Sequence, residues 1–157
     1  MSLNHVKTFL DEHQIRYVTI SHSPAYTAQE IAACAHMPGR EVAKSVIVKL
    51  DDELAMVVMP APMKVDLELL RHATGARDVA LADENEFVDH FPDCEAGAMP
   101  PLGNLYGMKV YVAESLADDE LIAFNAGSHT ELIRMRFDDF KRLVNPVIAP
   151  LGMPLSV

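Results

Sequence analysis

"AKSVIVKLDDELAMVVMP", residues 43–60, holds two apolar runs on either side of the turn residues Asp51-Asp52-Glu53. Runs of this length, rich in β-branched residues and joined so tightly, read as the two strands of a β-hairpin. The connection also fixes their direction, because parallel neighbours need a crossover of a dozen or more residues. Strand alternation places Lys44 on one face with Val46, Val48 and Leu50, and Ala43, Ser45, Ile47 and Lys49 on the other. A lysine in phase with an apolar row is unusual, since its ammonium group is costly to desolvate. Two readings are open. Lys44 either carries its charge to water over an apolar patch at the strand's end, or stands in the wall of a pocket. There it could hold a phosphate or carbonyl oxygen, or stabilise developing negative charge.

Helix signals lie on both sides of the hairpin. In "SLNHVKTFLDEHQ", Leu3, Val6, Phe9 and Leu10 recur at helical spacing with Ser2 as an N-cap. A short strand over Tyr17 to Ile20 follows, then a second helix opened by the capping pair Thr27 and Glu30 and stopped at Pro38-Gly39. Beyond the hairpin, Asp66 caps "LELLRHATG" and Gly75 ends it, while Asp83 and Glu86 cap "ENEFVDHF". Residues 92–107, "PDCEAGAMPPLGNLYG", contain three prolines and three glycines and show neither period, so they read as a long ordered loop of the kind that carries function. "KVYVAE", "ELIAFNAG" and "HTELIRMRF" are further strands, "DDFKRLVN" is a last helix, and an apolar Pro-rich tail closes the chain. Intermixed helices and strands with tight strand links predict an α+β fold with a mixed sheet, organised as one domain over residues 1–157.

Composition narrows the function classes. The formal charge of -10 argues against an extended phosphate-tracking surface, and so against DNA, although a short nucleic-acid end remains compatible. No apolar run approaches the roughly 18 residues of a membrane span, and the first residues lack the pattern of a signal peptide, which predicts a cytoplasmic protein without membrane attachment. Cys34 and Cys94 form no disulfide framework, and no Cys or His pair has zinc-ligand spacing, so no metal is expected. The glycine-rich dinucleotide fingerprint and the P-loop are absent, so no nucleotide cofactor is expected either.

"FNAGSHTELIRM", residues 124–135, gathers Asn125, Gly127, Ser128 and His129 between two apolar strands. It reads as a Gly-containing hairpin turn, or as a site where His129 forms hydrogen bonds or handles a proton near neutral pH. Ser128 beside His129 is not a triad signal, because neighbours on a strand point to opposite faces. The loop from Gly97 to Gly107 is either a stiff connection or a lip closing one side of a site. Cys34 reads as a small core residue. Cys94 has no basic neighbour to favour its thiolate, which disfavours a cysteine-dependent hydrolase. His5, His13, His22, His36, His72 and His90 are scattered and read as structural or solvated, and no carboxylate pair stands out as a glycosidase dyad.

Together, "VAKSVIVKL", "MPPLGNLYG" and "FNAGSHTELIRM", in this order and at these separations, resemble the YbaK and prolyl-tRNA-synthetase-associated editing-domain family, from about Thr27 to "IRMRF". The resemblance implies a compact α+β domain with a mixed, barrel-like sheet and hydrolysis, in trans, of the ester of a mischarged aminoacyl-tRNA. Known relatives clear cysteine, alanine or other small amino acids from tRNA for proline and related tRNAs. The family's lysine falls on Lys44, which the resemblance makes the holder of the aminoacyl-adenosine end. Its glycine-rich loop falls on Gly97, Pro100 and Gly103 as pocket lining, and its glycine and histidine pair on Gly127 and His129. Ser45, Asn125 and Ser128 join them as substrate contacts. Ser45 departs from the alanine-specific branch, which has Asn after the lysine, so alanine specificity is not implied. Neither metal nor cofactor is implied, because an aminoacyl ester is already activated and yields to positioned water and oxyanion stabilisation. The implied partners are the acceptor end of aminoacyl-tRNA and, beside it, an aminoacyl-tRNA synthetase. The rival expectation is a non-catalytic module that binds aminoacyl-adenosine or a small ligand and regulates a partner. Lys49, on the other face from Lys44, should be dispensable for activity.

Overall fold

Helix α1 (Ser2–Glu12) leads into β1 (Tyr17–Ser21), and the hairpin follows as β2 (Val42–Leu50) and β3 (Glu53–Pro60) in a computed structural model that describes residues 2–21, 38–92, 94–95 and 97–154. The hairpin register runs from Ala43 opposite Pro60 to Leu50 opposite Glu53. Asp51 and Asp52 make the turn at φ of 50° and 71°, the left-handed conformation whose twist suits paired strands and which aspartate tolerates. The Asp51 carboxylate anchors it, accepting the N–H groups of Arg77 and Asp78 at 3.0 and 2.8 Å.

The remaining elements are β4 (Met63–Val65), α2 (Leu67–Thr74), β5 (Val79–Leu81), α3 (Glu84–Phe87), β6 (Val110–Ala113), β7 (Leu121–Asn125), β8 (Glu131–Arg136), α4 (Phe137–Val144), β9 (Val147–Ala149) and β10 (Gly152–Pro154). Asp66 caps α2 by accepting from the N–H groups of Glu68 and Leu69, and Gly75 ends it at φ 74°. These bonds satisfy amides that the first helical turn cannot pair. Asp66→Ala is therefore expected to lower stability by about 1 kcal/mol, read as a reduced urea midpoint at unchanged slope.

The large sheet runs β1-β8-β7-β2-β3-β6-β9, with β5 also paired to β2, while β10 and β4 form a separate ladder. β2/β3, β1/β8 and β7/β8 are antiparallel and β2/β7, β3/β6 and β6/β9 are parallel, which makes the expected mixed α+β sheet. Apolar side chains cover both faces of its centre. Ala43 and Ile47 of β2 join a core with Val6 and Leu10 of α1, Phe124 of β7 and Phe140 of α4. Val48, with Val46 and Leu50 packed against it, joins a second core with Leu70 of α2 and Leu151. Burial on both faces is why the hairpin reads as nearly continuous apolar runs.

Two departures from the sequence reading are physical. β4, β5, β9 and β10 span three residues each, too short for alternation to register, and β9 and β10 tie down the Pro-rich tail that carried no strand signal. The helix expected over "ENEFVDHF" ends at Phe87, and Val88–His90 tightens into a 3-10 turn. The helix expected from Thr27, with Cys34, His22 and His36, lies outside the described residues. His5, His13, His72 and His90 are exposed.

Candidate active site

β7 carries the chain to the site. Ile122 and Phe124 enter the first core, so alternation turns Asn125 to the opposite face at the strand's end. Two residues on, Gly127 is buried at φ 102°, a conformation that a side chain would strain. Its N–H donates to the Ala98 carbonyl at 2.9 Å and its own carbonyl accepts from the Glu95 N–H at 2.8 Å. These two bonds dock the Pro/Gly loop onto the β7–β8 turn. Next to them the His129 N–H donates to Glu95 Oε1 at 3.2 Å. His129 is 7% exposed, the only polar or charged residue buried as a whole among the described residues. A Cβ on Gly97, which has φ 80°, would lie 3.6 Å from His129 Cε1, so the imidazole lies over that glycine. Ser128 Oγ is 3.4 Å from Thr130 Oγ1.

The loop is part of the core as well as of the rim. Met99 and Leu102 pack in the first core, and Pro100 is buried. At Gly103 a Cβ would come within 2.8 Å of Val110 Cγ2 and 3.3 Å of Met56 Cβ, so the chain passes too close to β3 and β6 for any side chain.

Lys44 is half-buried, and its Nζ donates to the Ala61 carbonyl at 3.2 Å. Among the described residues no carboxylate pairs with it, and burial lowers its pKa below that of an ordinary lysine. An ammonium group has three donors, so this one keeps capacity for a ligand. Ala43 pairs with Phe124 across the parallel β2/β7 ladder, and Lys44 and Asn125, each one residue further, fall side by side on the opposite face. Ser45 turns the other way, with Ala43 and Ile47. Ser45 Oγ and Asn125 Oδ1 are both buried with no hydrogen-bond partner among the described residues. Buried polar atoms are normally paired, so both are exceptions, one on each face of the sheet.

The structure thus brings Gly97, Gly127, Ser128 and His129 into one cluster and sets Lys44 and Asn125 together on one sheet face. It places Ser45 on the reverse face and Pro100 and Gly103 deeper in the core. Glu95, which holds the His129 backbone, was not legible, because nothing in the spacing of an acidic loop residue ties it to a histidine beyond the next two strands. Cys94 Sγ lies 3.5 Å from the Tyr106 hydroxyl.

Lys49 has a different setting. Its Nζ is 2.6 Å from Glu86 Oε2, and the pair raises the lysine pKa and lowers the carboxyl's. Lys49→Ala is expected to leave activity at the Lys44 site within about twofold of wild type, since an exposed ion pair contributes little; parallel rate and melting measurements check this. Among the described residues no group of three or more His, Cys, Asp or Glu could hold a metal ion, and no helix is long and apolar enough to cross a membrane.

Comparison with known proteins bears on the same residues. The aminoacyl-tRNA editing domain family matches over residues 22–143, which include Lys44, the Pro/Gly loop and His129. A stretch of 100 residues, 64% of the chain, is 28% identical to the proline--tRNA ligase of Halalkalibacterium halodurans and spans 17% of that longer protein. The crystal structure of the hypothetical protein APE2540 matches with a TM-score of 0.85 at 19% identity, over 94% of this chain and 99% of its own. That of a protein proposed as a trans-editing enzyme for prolyl tRNA synthetase matches with a TM-score of 0.82 at 19% identity, over 97% of each chain. These structures share the α+β architecture with its mixed sheet. With the match extending over most of its length and through every motif that builds the site, the chain belongs to the aminoacyl-tRNA editing domain family.

Proposed function

We propose that the chain acts as a single-domain deacylase in the cytoplasm, hydrolysing in trans the ester of tRNA mischarged with a small amino acid, on tRNA for proline or a related tRNA. The observation that carries this reading is Lys44, a half-buried cation with no carboxylate to neutralise it among the described residues, next to Asn125 and the strand that ends in the Gly127–His129 cluster. Such a charge is costly to hold and suits a site where negative charge develops.

The aminoacyl-adenosine end docks with its ester carbonyl toward the Lys44 ammonium, with Asn125 on the same sheet face. Gly127, lacking Cβ, lets the backbone approach the reacting group, and His129, fixed through Glu95, lines the same end. Water adds to the carbonyl carbon, Lys44 stabilises the oxyanion, and the tetrahedral intermediate collapses with cleavage of the bond to the ribose oxygen, which takes up a proton. Free amino acid and uncharged tRNA result. No protein nucleophile is required, because the ester is already activated and orientation accounts for much of the acceleration. The acidic chain grips only this end, and the rest of the tRNA is contacted weakly or held by a synthetase.

A deacylation screen over tRNAs charged with alanine, serine, threonine, cysteine and 2-aminobutyrate tests the reading. Turnover of at least one is expected. Turnover of none would replace the enzyme with a module that binds aminoacyl-adenosine and regulates a partner.

A further inference from the structure

Alternation carries the Lys44 face of the sheet outward across β7, β8 and β1. Asn125 of β7 lies beside Lys44, Leu132 of β8 pairs with Asn125, and the same registers set Arg134 between Ala123 of β7 and Val18 of β1. Arg136 lies two residues further along β8, opposite Leu121. Arg16, one residue before β1, falls across from Arg136 when the β1/β8 register is continued. The apolar floor of this face, Ala123 and Leu132, is buried. Arg16, Arg134 and Arg136 are exposed, and Val18 beside Arg134 is 56% exposed. The arginines therefore stand in water at the outer end of the face that holds Lys44.

Charge on this face is one-sided. The strand residues that share it in β2, β7, β8 and β1 include no aspartate or glutamate, in a chain whose formal charge is -10. Among the described residues neither Arg16 nor Arg134 has a carboxylate partner. Arg136 has a loose one, Asp138 Oδ2 at 3.8 Å, with both side chains largely exposed, and such a pair contributes little. Like charges set side by side on a sheet repel, and an anion laid across them would offset that. The three guanidinium groups form a row rather than a convergent cup. Arg134 and Arg136 are about 6.8 Å apart along β8, and Arg134 is roughly 12 Å from Lys44, by strand and residue spacings. A guanidinium grips phosphate through paired N–H donors, and a phosphodiester chain leaving Lys44 presents its phosphates in a row. So few contacts suit a short single strand better than a duplex tracked along its length. We propose that Arg16, Arg134 and Arg136 form a strip that binds the phosphates of the unpaired nucleotides adjoining the aminoacylated end of tRNA. The choice of RNA as the anion rests on the deacylase reading of the Lys44 site.

The test reads binding rather than hydrolysis. Fluorescence anisotropy follows the full chain with an uncharged acceptor-stem hairpin that ends in unpaired nucleotides, over a range of salt. Arg134→Gln is expected to weaken binding about eightfold at about 50 mM salt and to lower the slope of log affinity against log salt by about 0.7, the loss for one phosphate contact on a single strand. Arg136→Gln should act alike. Lys141→Gln, which removes an exposed cation on α4 at the opposite face, should leave both values unchanged, and trimming the unpaired end from the hairpin should weaken binding. No binding of the hairpin, unchanged slopes in both arginine variants, or an equal loss in Lys141→Gln would overturn the proposal. Displacement of the RNA by a polyglutamate peptide of equal charge and equal affinity would overturn it in favour of an acidic protein segment. Melting curves accompany each variant, and should Arg134→Gln fail to fold, Arg136→Gln decides. Because the hairpin carries no ester, a failure of deacylation would leave these results standing, while turnover with unchanged slopes would remove the strip alone.

Discussion

Replacing Lys44 with alanine is expected to slow deacylation of mischarged tRNA by about 10²–10³-fold, the range typical of removing one preorganised group that stabilises an oxyanion. The fold should survive the change. Among the described residues Lys44 makes one hydrogen bond, to the Ala61 carbonyl, and no ion pair, while burial works against its charge. Removing that charge therefore relieves a cost as well as losing a contact, and melting should stay close to wild type. Lys44→Met separates charge from packing, because it keeps most of the stem that lies along the strand. Single-turnover rates with protein in excess over charged tRNA provide the readout. A rate unchanged in both variants would remove Lys44 from the mechanism, and a rate lost only along with the melting transition would mark a structural role.

Phe124→Ala is expected to cost about 3–5 kcal/mol of stability, the usual range for truncating a fully buried phenylalanine. Phe124 has no exposed surface, and it pairs with Ala43 on β2 and Ile133 on β8. It packs in the core that also holds Met99 and Leu102 of the Pro/Gly loop. The void would lie directly beneath the chain that delivers Asn125 and Gly127, so deacylation should fall with stability. Phe124→Leu keeps most of the volume and should cost under about 1.5 kcal/mol. Urea denaturation followed beside activity checks both variants. A loss below about 1 kcal/mol for Phe124→Ala, against the expected range, would mean that the β7 end does not rest on this side chain.

Much of this framework was legible, and the limits are specific. The Asp51-Asp52 turn and the phase of β2 could be read because hairpin chemistry and side-chain alternation are local, and the two cores divide Ala43 and Ile47 from Val46, Val48 and Leu50 as that phase requires. The Asp66 and Asp83 caps were legible for the same reason. The parallel ladders of β2 with β7 and β3 with β6 were not, because no short connection announces them. Strands as brief as β4 and β10 exist only through each other. Proximity could suggest that Gly127 and His129 act together, but only the docked loop shows Ala98 and Glu95 receiving their amides. Arg134 and Arg136 were two of 13 lysines and arginines in the sequence, and their place on the Lys44 face appears only in the fold.

The proposed site breaks the aminoacyl ester rather than merely holding it. The most direct measurement follows labelled amino acid released from a mischarged tRNA pool with protein far below the tRNA concentration. Release of many amino acids per protein molecule, above the spontaneous rate, is expected, with loss of that excess in Lys44→Ala. An ester lifetime unchanged or lengthened by the wild-type protein would contradict it.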